Sequence, residues 1–270
     1  HGCTEQVVSQ AVPAVALGKH PDFGFSAAKA SASVARLIDI LRARQNDDGS
    51  FGLWAANPRV EPEAVVYALH VLTDARERGY AVPSDLLRKG MGYLQSIAGQ
   101  TPENLATGRT RAHAIYVLTR NEMNTSAFVS ATEKNLEANH AKTWKQDIAG
   151  AYLAATKKLL KQDAQATSLL AECKFGQSVV PDDSNYLDRL SRDGQLLYLI
   201  ARHFPGRAQA IQKRDLDALV EPIANGSYNT YSSAFAIMGL EAYAQRATTA
   251  AAGKFTLAEI VDGAQKPITL

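Results

Sequence analysis

Apolar residues in this 270-residue chain return every three or four positions over long stretches, and the two-residue alternation of half-buried strands is almost absent. In PEAVVYALHVLTDARERGY, Val65, Ala68, Leu69, Leu72 and Ala75 share one helical face, with Pro62 placed for a helix start and Gly79 for its stop. Similar alanine-rich segments recur as SASVARLIDIL, EAVVYALHVL, RAHAIYVLTR, QDIAGAYLAAT, GQLLYLIARHF and SSAFAIMGLEAYA. Their centres lie roughly 40 residues apart, and more polar helical stretches such as SDLLRKGMGYLQSI and FVSATEKNLEAN separate them, the spacing of helical-pair repeats.

The pattern predicts an all-α protein of about six helical hairpins, either stacked as an open solenoid or closed into a ring. Ala32, Ala64, Ala68, Ala112, Ala149, Ala151, Ala234 and Ala236 allow close helix packing, and the last segment is as apolar as the others rather than a polar cap. A closed α/α toroid with the apolar helices inside is the expected architecture, as a single domain over residues 1–270.

Charge and composition narrow the function classes. With 29 Lys and Arg against 27 Asp and Glu, the chain has no strong field and no basic run of the kind that tracks phosphates, so nucleic acid is not an expected partner. No stretch approaches the roughly 20 apolar residues of a membrane span, and direct membrane contact is not expected of this domain.

Candidate chemistry is sparse. Two cysteines, Cys3 and Cys173, make neither a disulfide framework nor a cysteine-rich zinc site, and Cys173 in TSLLAECKF sits at helical spacing as a buried apolar cysteine would. His1, His20, His70, His113, His140 and His203 are scattered without metal-ligand spacing, so no metal or cofactor is expected. The acidic pairs Asp47–Asp48 and Asp182–Asp183 stand beside Gly49 and Pro181 in turn-like contexts, as solvated turn residues do.

The stretch RQNDDGSFGLW places a tight turn at Asn46 to Gly49 and lets Phe51 and Trp54 return to the core. It resembles the glutamine and tryptophan turn of α/α-toroid proteins, which include terpene cyclases, prenyltransferases and the thioester domains of the α2-macroglobulin and complement family. A cyclase needs a deep acidic cluster and a prenyltransferase a zinc set, and the residues above offer neither. A terpene-cyclase-like enzyme remains a distant alternative.

The opening HGCTEQ admits two readings: a helix entrance with an exposed cysteine, or a pair, Cys3 and Gln6, that react with each other. Gly2, Cys3, Glu5 and Gln6 resemble the G-C-x-E-Q signature of the thioester-containing α2-macroglobulin and complement proteins, and VVSQAVPAVALG continues at once as a first helix. The resemblance runs from HGCTEQ through QNDDGSFGLW to the last hairpin, and points to the thioester domain of a bacterial α2-macroglobulin.

What the resemblance implies is an internal Cys3–Gln6 thioester, with Gln6 as electrophile and Cys3 as leaving group. A thiolate, from an ordinary thiol of pKa about 8.5, leaves far more readily than an amide nitrogen. The domain would be a single-use covalent trap rather than an enzyme, a protease inhibitor that captures a target protease through a lysine amine after bait cleavage. It would sit among neighbouring domains of a much larger parent protein in the bacterial periplasm, the parent envelope-anchored, with an extracellular home as the alternative.

Finer expectations follow from the same resemblance. Family members that esterify hydroxyls carry a histidine near the start of a mid-domain helix; in TPENLATGRTRAH that place falls on Asn104, so direct aminolysis by lysine is expected, with His113 a core histidine. Gly2 permits unusual dihedrals before the turn. Where the family has a glycine-rich turn ending in Ser-Thr-Gln, this chain reads NGSYNTYSS, which makes Tyr228 and Tyr231 candidate shields of the bond. If no thioester forms, the chain is a helical-repeat module that docks partner domains without covalent chemistry.

Overall fold

The computed structural model describes residues 2–179, 186–250, 256–261 and 264–269. The first helix is α1 (Thr4–Leu17), followed by the outer α2 (Ala27–Arg44) and then α3 (Pro62–Glu77), α4 (Ser84–Gly99), α5 (Leu105–Arg120) and α6 (Ser126–His140). Next come α7 (Ile148–Leu159), α8 (Asp163–Leu170), α9 (Arg189–His203), the short α10 (Pro205–Gln209), α11 (Lys213–Ala224) and α12 (Thr230–Ala250).

Six of these helices close on one another. α1 packs against α3, α3 against α5, α5 against α7, α7 against α9, α9 against α12, and α12 returns to α1. The remaining helices lie outside: α2 on α1, α4 on α3 and α5, α6 on α5, α8 on α7, and α11 on α9. The expected ring of helical pairs is therefore present, with α3, α5, α7 and α9 buried along most of their length.

The physical reason is visible in the sequence of each layer. Inner helices meet neighbours on two sides and so bury residues on nearly every face, paired polar ones such as Asp74, Arg109 and Asp193 included, whereas α4 buries only the stripe Leu86, Leu87, Gly90, Met91, Leu94, Ile97 and Ala98. Ala64, Ala68, Ala112, Ala149, Ala151, Ala234 and Ala236 are all buried, as close packing requires. Two assignments differ from expectation: SASVARLIDIL forms the outer α2 with Ala32 exposed, and the first inner helix is α1. An apolar stripe at helical spacing is common to both layers, so the stripe alone did not separate them.

A second difference lies at the end of the chain, where β1 (Thr256–Val261) and β2 (Ala264–Thr269) pair antiparallel from Thr256↔Thr269 to Val261↔Ala264. A short ribbon of this kind has too few alternating positions to stand out among helical repeats.

The ring interior carries one buried tyrosine from each of five inner helices: Tyr67, Tyr116, Tyr152, Tyr198 and Tyr231. Each phenol reaches another element: Tyr67 to Ser9, Tyr116 to His203, Tyr152 to Gln195, Tyr198 to Asp74, and Tyr231 to Glu63. Buried hydroxyls are costly unless bonded, so these contacts tie the ring together, Tyr67 and Tyr152 to an adjacent inner helix and Tyr116, Tyr198 and Tyr231 to a helix beyond it.

A polar cluster occupies the same interior. Asp74 accepts from Arg120 at 2.5 Å and from Tyr198 at 2.6 Å, and Glu77 bonds both Arg120 and Arg202. Burial alone would raise the Asp74 pKa, but Arg120, Arg202, His70 and the Tyr198 hydroxyl hold it well below the usual carboxylate range.

The turn after α2 is built as its residues suggest. Asp48 Oδ1 accepts from the Ser50 amide and hydroxyl, and Gln45 Nε2 donates to the Leu86 carbonyl. Gly49 has φ 89°, and a Cβ there would lie 2.0 Å from the Lys89 carbonyl oxygen. Phe51 is buried, but Trp54 is 50% exposed under the Arg59 guanidinium, so only one of the two aromatics returns to the core. The Asp182–Asp183 pair and His1 lie outside the described residues.

Candidate functional site

Cys3-Thr4-Glu5-Gln6 forms a capping box at the start of α1 with a cysteine in the place that serine or threonine usually holds. Cys3, in extended conformation at φ −66° and ψ 173°, is the N-cap, and the N3 side chain is Gln6. The Cys3 backbone N–H donates to Gln6 Oε1 at 3.0 Å. Ordinary helix-capping chemistry thus holds the carboxamide of Gln6 against the residue that bears the thiol.

The motif is anchored from below by the turn after α2. The Thr4 amide donates to the Leu53 carbonyl at 2.9 Å, and the Thr4 hydroxyl donates to the Gly52 carbonyl at 2.7 Å. Arg44, at the end of α2, donates to the Thr4 hydroxyl, to the Leu53 carbonyl and to the Gly2 carbonyl at 2.9–3.1 Å. Burial lowers the Arg44 pKa, and the Cys3 sulfur opposes that shift. The two stretches that stood out separately, HGCTEQ and RQNDDGSFGLW, are one structural unit.

Glu5 points the other way. It is 5% exposed; its Oε1 accepts from Ser9 at 2.7 Å and from the Thr230 hydroxyl at 3.0 Å, while Oε2 lies 4.0 Å from Cys3 Sγ. Because Ser9 gives its proton to Glu5, the 3.0 Å contact between Ser9 and Tyr67 is donated by Tyr67. Gln6 itself is exposed and Cys3 half-buried, and the buried Glu5 reaches from the ring side to within 4.0 Å of the Cys3 thiol.

Aromatic residues surround the inner side. Tyr67, Tyr231 and Phe235 pack edge-on or tilted at centroid distances of 4.9–5.2 Å, and Tyr186 stands 5.5 Å from Tyr231. Burial is the main cause that raises the Tyr186 pKa, with smaller contributions from Cys3, Glu61, Glu5 and Glu63. A cavity of about 310 Å³ opens beside Glu61 and Glu63, toward Pro102, Glu103 and Arg111.

The candidates named from sequence separate into groups. Gly2, Cys3, Glu5 and Gln6 stand together; Tyr231 belongs to the adjoining aromatic cluster and is 2% exposed, whereas Tyr228 is 57% exposed. Asn104 is the N-cap of α5, its Oδ1 accepting from the Thr107 amide at 2.9 Å. His113 is buried, bonded to His70 at 2.8 Å and stacked on Tyr152; burial and Arg120 push its pKa down to about 3. Cys173 is free and buried, donates to the Lys145 carbonyl, and has its pKa pushed up to about 12 chiefly by burial.

Thr4, Ser9, Arg44, Tyr67, Tyr186 and Thr230 were not found from sequence. Most of their partners lie 40 to 225 residues away; the exceptions are Arg44 with the Leu53 carbonyl, nine residues on, and the local Glu5–Ser9 pair, whose spacing of four on one helix face was the available signal.

A scan against family models returns no match. Among curated proteins, an α2-macroglobulin homologue of Yersinia pestis is 32% identical over 246 residues, covering 89% of this chain and 12% of that protein. The α2-macroglobulin of Rickettsia conorii is 32% identical over 251 residues, covering 91% of this chain and 13% of that protein. Among solved structures, an Escherichia coli α2-macroglobulin described as activated by porcine elastase superposes with TM-score 0.73 at 19% identity, over 99% of this chain and 24% of that one. A Salmonella α2-macroglobulin described as reacted with methylamine gives TM-score 0.72 at 18% identity, over 99% of this chain and 18% of that one.

A closed ring of helical pairs with a cysteine–glutamine helix cap at its rim is thus the class of module in hand, and it matches one part of much larger proteins. The chain belongs to the bacterial α2-macroglobulin family, and spans about an eighth of the length of the curated relatives it matches.

Proposed function

We propose that Cys3 and Gln6 form an internal thioester and that this bond captures an attacking protease through a lysine amine, in a parent protein that serves as a protease trap. The observation that carries the reading is the Cys3 N–H to Gln6 Oε1 contact of 3.0 Å. When the Cys3 sulfur adds to the Gln6 carboxamide carbon, negative charge develops on Oε1, and the Cys3 amide is already aimed at that oxygen. Loss of ammonia then leaves the thioester. Attack by an amine makes a second tetrahedral intermediate on the same oxygen, the thiolate departs, and a stable amide remains. The bond is consumed in one event, so the domain is a trap and not a turnover enzyme.

Amines rather than hydroxyls are the expected nucleophiles. Hydroxyl transfer in this chemistry calls for an imidazole that attacks first. By the family resemblance that imidazole falls at the position of Asn104, here the cap of α5, and His113 is bonded to His70 inside the ring. The methylamine-reacted Salmonella structure and the elastase-activated E. coli structure support the amine and protease parts of the reading. Proteolysis of a bait segment would expose the bond, which neighbouring domains of the parent shield until then. A periplasmic, envelope-anchored parent fits the bacterial relatives.

Intact mass tests the proposal. The protein is expected to weigh one ammonia less than its sequence, to take up methylamine at Gln6, and to free the Cys3 thiol as it does so. An unchanged mass and equal methylamine uptake in the Cys3→Ala variant would remove the thioester from the account. Labelling by glycerol as readily as by methylamine, lost in His113→Ala, would overturn the preference for amines.

A further inference from the structure

The geometry points to Glu5 as the proton-transfer group of the Cys3–Gln6 thioester, taking the proton from the thiol or amine that adds and handing it to the group that leaves. This rests on the thioester reading and assigns a role that the bond itself leaves open. An acid in the first turn of a helix is favourable for structural reasons alone, but such a side chain ordinarily stays in solvent near the free amide groups. Glu5 is instead turned inward to 5% exposure, with one carboxylate oxygen 4.0 Å from the reacting sulfur.

Its surroundings suit a base. Among the described residues the carboxylate accepts from the neutral hydroxyls of Ser9 and Thr230 and, at 4.0 Å, from the Cys3 thiol, and Tyr67 donates into Ser9 behind them. Hydroxyl donors fix the carboxylate's orientation without supplying the full countercharge of an Arg or Lys, which would suppress its basicity. Ser9 is on the same helix one turn along, and Thr230 opens α12, so α1, α3 and α12 together hold the group in place.

Proton and bond changes balance in both directions. In formation, the Cys3 S–H proton passes to Glu5 while sulfur bonds to the Gln6 carboxamide carbon; the C–N bond breaks and Glu5 returns the proton to the departing nitrogen, which leaves as ammonia. In opening, an amine R–NH2 adds to the same carbon, gives one proton to Glu5, and the C–S bond breaks; Glu5 then protonates the thiolate. The products are Gln6 carrying an N-substituted amide and a free Cys3 thiol. No oxidant, metal or second cofactor enters.

The test uses intact mass and methylamine kinetics on wild type, Glu5→Gln and Cys3→Ala. Glu5→Gln keeps the size and an acceptor oxygen for Ser9 and Thr230 but lacks the base. It is expected to melt within a few degrees of wild type, yet to form the bond and to take up methylamine, per free amine, about 100-fold more slowly. The acid limb of the wild-type rate, where the carboxylate gains a proton, should vanish in this variant. Wild-type rates in folded Glu5→Gln would overturn the role of Glu5 while leaving the thioester intact. Where wild type shows neither the mass deficit nor Cys3-dependent uptake, the thioester reading fails and takes this inference with it. Should Glu5→Gln not fold, Ser9→Ala decides: loss of the donor that holds Oε1 frees the carboxylate to turn from the Cys3 sulfur, so methylamine uptake should slow about tenfold across the pH profile. A Ser9→Ala profile that superposes on wild type would overturn the assignment.

Discussion

The Cys3 backbone N–H and Gln6 Oε1 are 3.0 Å apart, which makes a helix cap and the proposed reactive geometry the same hydrogen bond. The residue before it is small for a reason. A Cβ on Gly2 would lie 3.0 Å from Gln6 Cβ and 3.1 Å from Gln6 Oε1, close enough to push the side chain off the Cys3 amide. Gly2→Ala is therefore expected to slow methylamine uptake by about tenfold, since small displacements at a reacting centre are costly. Melting should change little, because the helix keeps its other contacts; an unchanged uptake rate would show that the cap does not organise the site.

Arg44 ties the motif to the turn that follows α2. Arg44→Met removes the donor shared by the Gly2 and Leu53 carbonyls and the Thr4 hydroxyl, in a place where Arg44 is 8% exposed. Stranding the Gly2 carbonyl and taking the charged donor from the Leu53 carbonyl and Thr4 hydroxyl, which keep their bonds to each other's segments, should cost about 3 kcal/mol. For a chain of this size that lowers the melting temperature by about 6–12 °C, measurable by calorimetry.

The interior ion cluster is held by Asp74. Asp74→Asn would leave the buried Arg120 guanidinium short of its countercharge and weaken the Tyr198 contact. A loss of about 3–5 kcal/mol is expected in urea unfolding, because breaking one side of a buried pair strands the other. A neutral outcome would mean that Glu77 alone neutralises Arg120.

Acid should destabilise the ring before it titrates the folded histidines. Burial, with Arg202 and Arg120, pushes the His203 pKa to about 3, and burial with Arg120 does the same for His113. An unfolded histidine binds its proton near pH 6.5, so between about pH 6.5 and about pH 3 the unfolded chain holds more protons than the folded one. Stability is complete above that window and falls as pH drops through it, by about 1.4 kcal/mol per pH unit for each such histidine. The urea midpoint should therefore be lower at about pH 5 than at about pH 7.5, and His203→Gln should flatten the dependence.

Much of the fold was legible because the ring repeats one local rule. Val65 to Ala75 on one face, Pro62 at the start and Gly79 at φ 92° after the end define α3 without reference to any other helix. Which helices lie inside was legible only in part: α2 carries an apolar stripe much like the others, yet it packs outside with Ala32 exposed. Trp54 was misplaced for a related reason, since an aromatic after a turn satisfies itself equally well over Arg59 at the surface.

The sequence by itself determined the helical repeat, the turn at Asn46 to Gly49 and the Cys3–Gln6 pair, because each depends on neighbours a few residues apart. Only the tertiary structure decided what surrounds that pair. Arg44 comes from 42 residues away to Gly2, Tyr67 from 58 residues to Ser9, and Thr230 from 225 residues to Glu5. Ring closure brings α12 back to α1 and sets these side chains against the motif; a contact made by closing a ring leaves no periodic trace along the chain.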